Sequence, residues 1–202
     1  MKEIQRYVLG MVQVNTYVLW NDNHVLIIDP GSKSKKLQSV LDEAGAIVDG
    51  IFLTHAHFDH IGGVDAFAKK YNAPLYMNEL DAPLLSDPRL NLSGYDPLVV
   101  LTKPNFLMPG KQKIGTFEVT IYDAPGHSEG CSMLEWENNL FSGDVLFQGS
   151  IGRTDFYTSS NTKMMQSLKR IKEMNPDLVV YPGHGEATTI KNELQWNPFL
   201  QY

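Results

Sequence analysis

Apolar runs of four to eight residues, bounded by turn residues, recur along this chain and alternate with stretches of helical periodicity. Ile4 to Leu9, Val14 to Trp20 and Val25 to Ile28 read as three strands, with Gly10-Met11-Val12-Gln13 as the hairpin connection between the first two. Asn21-Asp22-Asn23-His24 is the expected turn before the third, which makes His24 an exposed turn residue. Asp29-Pro30-Gly31-Ser32 stops that strand, and Ser32 is placed to cap a helix running to about Ala44. Gly50 to Leu53 reads as a buried strand, Gly62 to Tyr71 as a helix, Pro74 to Met77 as a short strand and Asn78 to Leu85 as a helical turn. From Glu79 to Lys113 the pattern weakens under repeated prolines, which predicts loops and short strands flanking a functional site, with closure as a lid left open. Alternation of strand and helix points to an α/β arrangement.

The second half repeats one device three times. Phe117 to Tyr122 alternates like a strand and ends in Asp123-Ala124-Pro125-Gly126-His127; Asn139 to Ser142 ends in Gly143-Asp144; Leu178 to Tyr181 ends in Pro182-Gly183-His184-Gly185. Each run delivers one imidazole or carboxylate at its end, beside a glycine that permits a sharp turn and close backbone approach. Thr162 to Met174 is amphipathic, with Asn161 as its expected cap and Pro176 beyond it. Thr188 to Trp196 reads as a last short helix.

Composition narrows the possibilities. The 202 residues suffice for one well-buried domain spanning 1–202, and 43% hydrophobic with 20% charged residues is ordinary globular composition. A formal net charge of −6 and a single tight basic group, Lys33, Lys35 and Lys36, argue against a nucleic-acid partner. The start of the chain lacks a hydrophobic signal core, and no apolar run reaches the ~18 residues of a membrane span, so a cytoplasmic protein without a membrane partner is expected. The lone Cys131 suits a reducing compartment, and its strand-like run, Cys131 to Trp136, favours a packed small residue over a nucleophile.

The densest chemistry is Thr54-His55-Ala56-His57-Phe58-Asp59-His60, three imidazoles and a carboxylate where a buried strand ends. With the downstream strand-end residues it makes seven candidate ligands: His55, His57, Asp59, His60, His127, Asp144 and His184. Imidazole and carboxylate donors without cysteine point away from a closed structural zinc site and toward open coordination. Seven donors exceed the needs of one ion, and two ions sharing one carboxylate, with a water or hydroxide between them, account for all of them. Asp29, also at a strand end, is either a turn aspartate or a carboxylate that orients a ligand histidine.

The Thr54-to-His60 motif, followed in order by His127, Asp144 and His184, resembles the metallo-β-lactamase superfamily of hydrolases. That resemblance implies a four-layer αββα sandwich with the metals in a cleft at one edge of the paired sheets. It assigns His55, His57 and His127 to a first metal, Asp59, His60 and His184 to a second, and Asp144 to a bridge. Gly149-Ser150-Ile151-Gly152-Arg153-Thr154-Asp155-Phe156 adds a likeness to small single-domain members of the glyoxalase II-like thioester hydrolases. These place a basic residue at the position of Arg153, where it can bind the carboxylate of an anionic thiol such as glutathione. Pairing of Arg153 with Asp155 is the alternative.

The implied reaction is attack of a bridging hydroxide on the carbonyl of an anionic thioester similar to S-lactoylglutathione. Asp59, His60 and Asp144 are then catalytic as well as metal-binding, and the cofactors are two divalent ions, zinc first, with iron or manganese admitted. Full-length glyoxalase II enzymes add a helical C-terminal domain that builds much of the glutathione site, whereas 18 residues follow His184 here. Another thiol carrier is therefore an equal expectation. Persulfide dioxygenases, which hold one iron with two histidines and an aspartate, share both motifs and are the alternative, with His55, His127 and Asp144 as ligands. A nuclease of the same superfamily ranks lower, for want of a basic surface.

Overall fold

The computed structural model describes residues 1–201. A first sheet takes the strands in chain order: β1 (Lys2–Leu9), β2 (Val14–Asn21), β3 (His24–Ile28), β4 (Ile47–Phe52), β5 (Leu75–Met77) and β6 (Pro104–Phe106). β1 to β3 form an antiparallel meander, and β3 to β6 run parallel. Helix α1 (Lys35–Glu43) crosses from β3 to β4. The one-turn α2 (Phe58–Ile61) and α3 (Val64–Tyr71) cross from β4 to β5. A second sheet has the order β14-β13-β10-β9-β8-β7, from β7 (Gly110–Ile114), β8 (Phe117–Asp123), β9 (Ser132–Trp136), β10 (Asn139–Gly143), β13 (Val179–Pro182) and β14 (Thr188–Thr189). A small ribbon, β11 (Leu146–Phe147) with β12 (Ser150–Ile151), precedes α4 (Asn161–Ile171), and α5 (Ile190–Trp196) follows β14.

Three apolar layers show how the sheets stack. β2 is buried on both faces. Val18 and Trp20 pack with Leu37 and Leu41 of α1 and Phe67 of α3, while Tyr17 and Leu19 pack with Ile114, Phe117 and Phe141 of the second sheet. On that sheet's far face, Met133, Leu140 and Val180 meet Met164, Leu168 and Ile171 of α4 and Ile190 of α5. Helix, sheet, sheet, helix is the αββα order.

Several element ends differ from the sequence reading. α1 is capped by Ser34, whose Oγ accepts from Leu37 N, and not by Ser32. α4 is capped by Ser160, with Asn161 as its first residue. All four residues are good cap formers, so the choice rests on where the packed face starts. His24 is the first residue of β3, half-buried, with Nδ1 2.7 Å from Asp49 Oδ1. Asp49 in turn accepts from Thr116 N and Oγ1, linking the first sheet to the β7–β8 turn, so His24 is a paired residue and not a free turn histidine. No helix among the described residues is long and apolar enough to cross a membrane.

Candidate metal centre

Strand ends of both sheets converge on one cleft. β4 leads into His55, His57 and α2, which carries Asp59 and His60; β8 precedes His127; Asp144 follows β10; and His184 follows β13. All seven predicted ligands meet there, in overlapping groups: His55 with His57 and His127, His55 with His60 and Asp144, and Asp59 with His60 and His184. Within each group one ligand atom per residue lies within 4.8 Å of the others. Asp144 sits between the two halves, with Oδ2 3.5 Å from His127 Nε2 and 3.7 Å from His184 Nε2, and Oδ1 3.4 Å from His60 Nε2. Asp59 Oδ2 is 3.1 Å from His184 Nε2.

The donor set fits a metal on two independent grounds. Six buried side-chain polar atoms among the described residues lack a hydrogen-bond partner, and four of them are here: His55 Nε2, His57 Nε2, His60 Nε2 and Asp144 Oδ1. Orphaned polar atoms at such density are costly unless something else binds them. His57 Nδ1 also faces His127 Nε2 at 2.9 Å. In one half of the centre, protonation states point the same way. Burial, reinforced by neighbouring imidazoles, holds His55 well below the usual histidine range and pushes His57 down to about 3. Neutral imidazoles keep a lone pair for a cation. In the other half burial opposes charge on His60, but Asp59, Asp144 and Asp29 outweigh it and raise His60 well above the usual range. Burial pushes Asp59 up, and His60 and His184 more than offset it, so Asp59 stays an anion. His55 and His57 are thus neutral, and Asp59 beside His60 and His184 carries the charge of the other half.

A hydrogen-bonded frame aims these groups. Asp29, in the left-handed region at φ 48°, accepts from Thr54 N at 2.8 Å, from Thr54 Oγ1 at 2.7 Å and from His60 Nδ1 at 2.9 Å. Thr54 Oγ1 lies 3.1 Å from His55 Nδ1. One carboxylate therefore fixes His60 directly and His55 through Thr54, leaving both Nε2 atoms toward the cleft. The main-chain carbonyl of Arg153 accepts from His127 Nδ1 at 2.9 Å and directs His127 Nε2 inward. The Arg153 side chain stands at the rim, bonded to Asp155 by Nε at 2.9 Å and Nη2 at 2.8 Å and lying over the Phe156 ring. Gly183 leaves room for the centre: a Cβ there would lie 2.2 Å from Asp144 Oδ1 and 2.8 Å from His60 Cε1.

Asp81, fully buried, was not identified from sequence. Its Oδ2 accepts from Ala56 N at 3.1 Å and Ser128 Oγ at 2.7 Å, and its Oδ1 from Gly130 N at 2.7 Å. It bolts the loop bearing His55 and His57 to the loop bearing His127. The only signal was an aspartate in a turn, which is common. Cys131 lies under the same bolt, 3.1 Å from Ser128 Oγ, and burial pushes its thiol well up, so it packs as a protonated side chain. From the proline-rich stretch, Asn91 O accepts from Phe58 N at 2.8 Å and Leu92 lines the cleft, so that segment forms part of the wall. The cleft holds about 460 Å³.

An αββα sandwich with a histidine- and aspartate-lined cleft at its strand ends defines the metallohydrolase class. The sequence model of the metallo-β-lactamase superfamily matches residues 9–184. A probable metallo-hydrolase of Bacillus subtilis, YqgX, is 36% identical, covering 97% of this chain and 96% of its own. The hydroxyacylglutathione hydrolase GloC of Haemophilus influenzae is 33% identical over 93% of each. Among solved structures, the BLEG-1 B3 metallo-β-lactamase superposes with TM-score 0.94 at 38% identity, covering 99% of this chain and all of its own. TTHA1623 in a di-iron-bound form superposes with TM-score 0.87 at 34% identity, covering 97% and 100%. The chain belongs to the metallo-β-lactamase superfamily and is a metal-dependent hydrolase of that group.

Proposed function

We propose that this protein hydrolyses thioesters at a two-metal centre. The observation that carries the reading is the pair of donor groups, His55, His57 and His127 beside Asp59, His60 and His184, with Asp144 between them. Full-length likeness to a hydroxyacylglutathione hydrolase supports the substrate class. Bound there, two divalent ions would supply Lewis acidity and a hydroxide nucleophile at neutral pH. Zinc suits the donors, and the di-iron form of TTHA1623 keeps iron on equal terms.

The residues then have separable tasks. His55, His57 and His127 would hold the first ion and Asp59, His60 and His184 the second, with Asp144 placed between the two groups. Asp29 with Thr54, the Arg153 carbonyl and Asp81 keep those side chains aimed. Val12, Phe58, Leu92, Phe147, Ile151 and Phe156 wall the cleft and strip water from a substrate carbonyl. A thiolate is a good leaving group, so the absence of an uncommitted acid from this lining suits a thioester better than an amide.

The test is hydrolysis of a thioester series, including S-lactoylglutathione, with metal content measured on the same sample. Turnover at near two metals per chain is expected. Likeness to BLEG-1 makes β-lactam hydrolysis the second reading, checked with nitrocefin. One iron per chain with oxygen uptake on glutathione persulfide and no hydrolysis would replace both with the dioxygenase, held by His55, His127 and Asp144.

A further inference from the structure

Glu193, within α5, and Asn197, which closes that helix, are buried polar residues to which the chemistry of the metal centre gives no task. Their side chains converge on the β11–β12 ribbon. Glu193 Oε2 accepts from Gly149 N at the ribbon tip and from Asn197 Nδ2, both at 2.8 Å, and Asn197 Nδ2 also donates to Ser150 O at 3.0 Å. Glu193 Oε1 accepts from Thr188 Oγ1 at 2.7 Å, which anchors the carboxylate to β14. Resting on the thioesterase reading, we infer that Glu193 and Asn197 are positioning residues for substrate. From α5 they fix the ribbon that presents Phe147 and Ile151 as one wall of the cleft, and so they set substrate affinity.

Two paired strands of two residues each do not hold themselves in water, so the ribbon needs outside support. Its base is held by the centre. Gly152 N donates to Val145 O, a Cβ on Gly152 would lie 1.8 Å from Asp144 O, and the next carbonyl, that of Arg153, accepts from His127 Nδ1. At the tip, Gly149 lies in the left-handed region at φ 68° and turns its N–H to Glu193. Between tip and base, Leu146 and Ile151 pack in one cluster with Ile190, Leu194 and Leu200 of the C-terminal segment. Phe147 faces the cleft, its ring edge-on to His184 with centroids 6.2 Å apart. Removing the Glu193 carboxylate strands the Gly149 N–H, the Thr188 hydroxyl and the Asn197 amide, and a buried donor without an acceptor is costly. The tip then shifts and carries Phe147 and Ile151 with it, while the base stays seated against Asp144 and His127.

The test uses metal-loaded protein and S-lactoylglutathione. Glu193→Met keeps the side-chain length and removes both carboxylate oxygens; it is expected to raise KM about ten-fold, with kcat within about two-fold of wild type and metal content unchanged. Glu193→Gln should restore KM, because its amide can turn the oxygen to Gly149 N and the nitrogen to Thr188 Oγ1. Added to Phe147→Ala with Ile151→Ala, Glu193→Met should have little further effect, since the changes disturb one wall. Asn197→Ala, which leaves Glu193 in place, should raise KM about three-fold and serves if Glu193→Met does not fold. An unmoved KM in these variants overturns the inference, as does full additivity with the wall substitutions. Loss of metal from Glu193→Met overturns it too, because Glu193 would then be supporting the His184 loop through Thr188. If the wild type hydrolyses no thioester, the thioesterase reading fails, and hydrogen exchange judges the positioning role alone. Amides of 145–152 exchanging about ten-fold faster in Glu193→Met, with those of 182–186 unchanged, uphold it, and equal exchange overturns it.

Discussion

Asp29 and Asp81 each brace the loops that carry the candidate metal ligands without supplying a ligand atom themselves. Asp29 steers one histidine from each half of the centre, and Asp81 ties the His57 loop to the His127 loop. Loss of such an orienting partner typically costs 10–100-fold in metal affinity. Asp81→Asn keeps the side-chain volume but turns one amide nitrogen toward backbone N–H donors. Chelator competition should show that loss at one of two sites, with little change at the other, and an unaltered metal affinity would contradict the role. The convergence of the seven candidate ligands was legible because imidazoles and carboxylates at consecutive strand ends have few other uses. Asp81 was not, because its partners, Ala56, Ser128 and Gly130, lie 25 to 49 residues away and two of the three contacts are to backbone N–H groups.

At the scale of elements, the strand ends position the site and glycine gives them room. Gly183→Ala would drive a methyl into Asp144 and His60, so metal content should fall by at least one ion per chain while the far helices keep their circular dichroism. Full metal content in that variant would contradict the packing argument. Away from the centre, Asp65 in the first turn of α3 accepts from Thr102 Oγ1 at 2.6 Å and from the backbone N–H groups of Leu101 and Thr102, tying the chain before β6 to the helix. Burial pushes its carboxyl up, but these bonds outweigh burial and hold it below the usual range. A depressed folded value means the stabilisation is present above the unfolded pKa of ~3.9 and is lost as pH falls through the folded one. Asp65→Asn should therefore cost about 1–2 kcal/mol at pH 7, and the gap to wild type should narrow below about pH 4 in denaturant titrations. An equal gap at pH 3 would refute the assignment. Strand and helix types were readable from periodicity; the one-turn α2 was not, since four residues carry no period, and cap positions slipped where adjacent residues cap equally well.

Across the whole molecule, the layer order could not be read from alternation. β2 is buried on both faces, so its run Tyr17 to Trp20 is unbroken by polar residues and does not say which of them face a helix and which the second sheet. That order emerges only when Tyr17 and Leu19 are seen against Phe117 and Phe141. Each donor group draws residues from both sheets, His127 joining His55 and His57, and His184 joining Asp59 and His60, so bound metal would cross-link them. Removing metal should lower stability by mass action, about 2.7 kcal/mol per site at a free metal concentration 100 times Kd, and shift Tm downward by several degrees. The central claim is that one cleft holds two ions through separable donor groups. Metal counts per chain on the purified protein and on His184→Ala test it most directly: near two in the wild type and near one in the variant are predicted, whereas one ion in the wild type, unchanged by His184→Ala, would contradict the two-metal account.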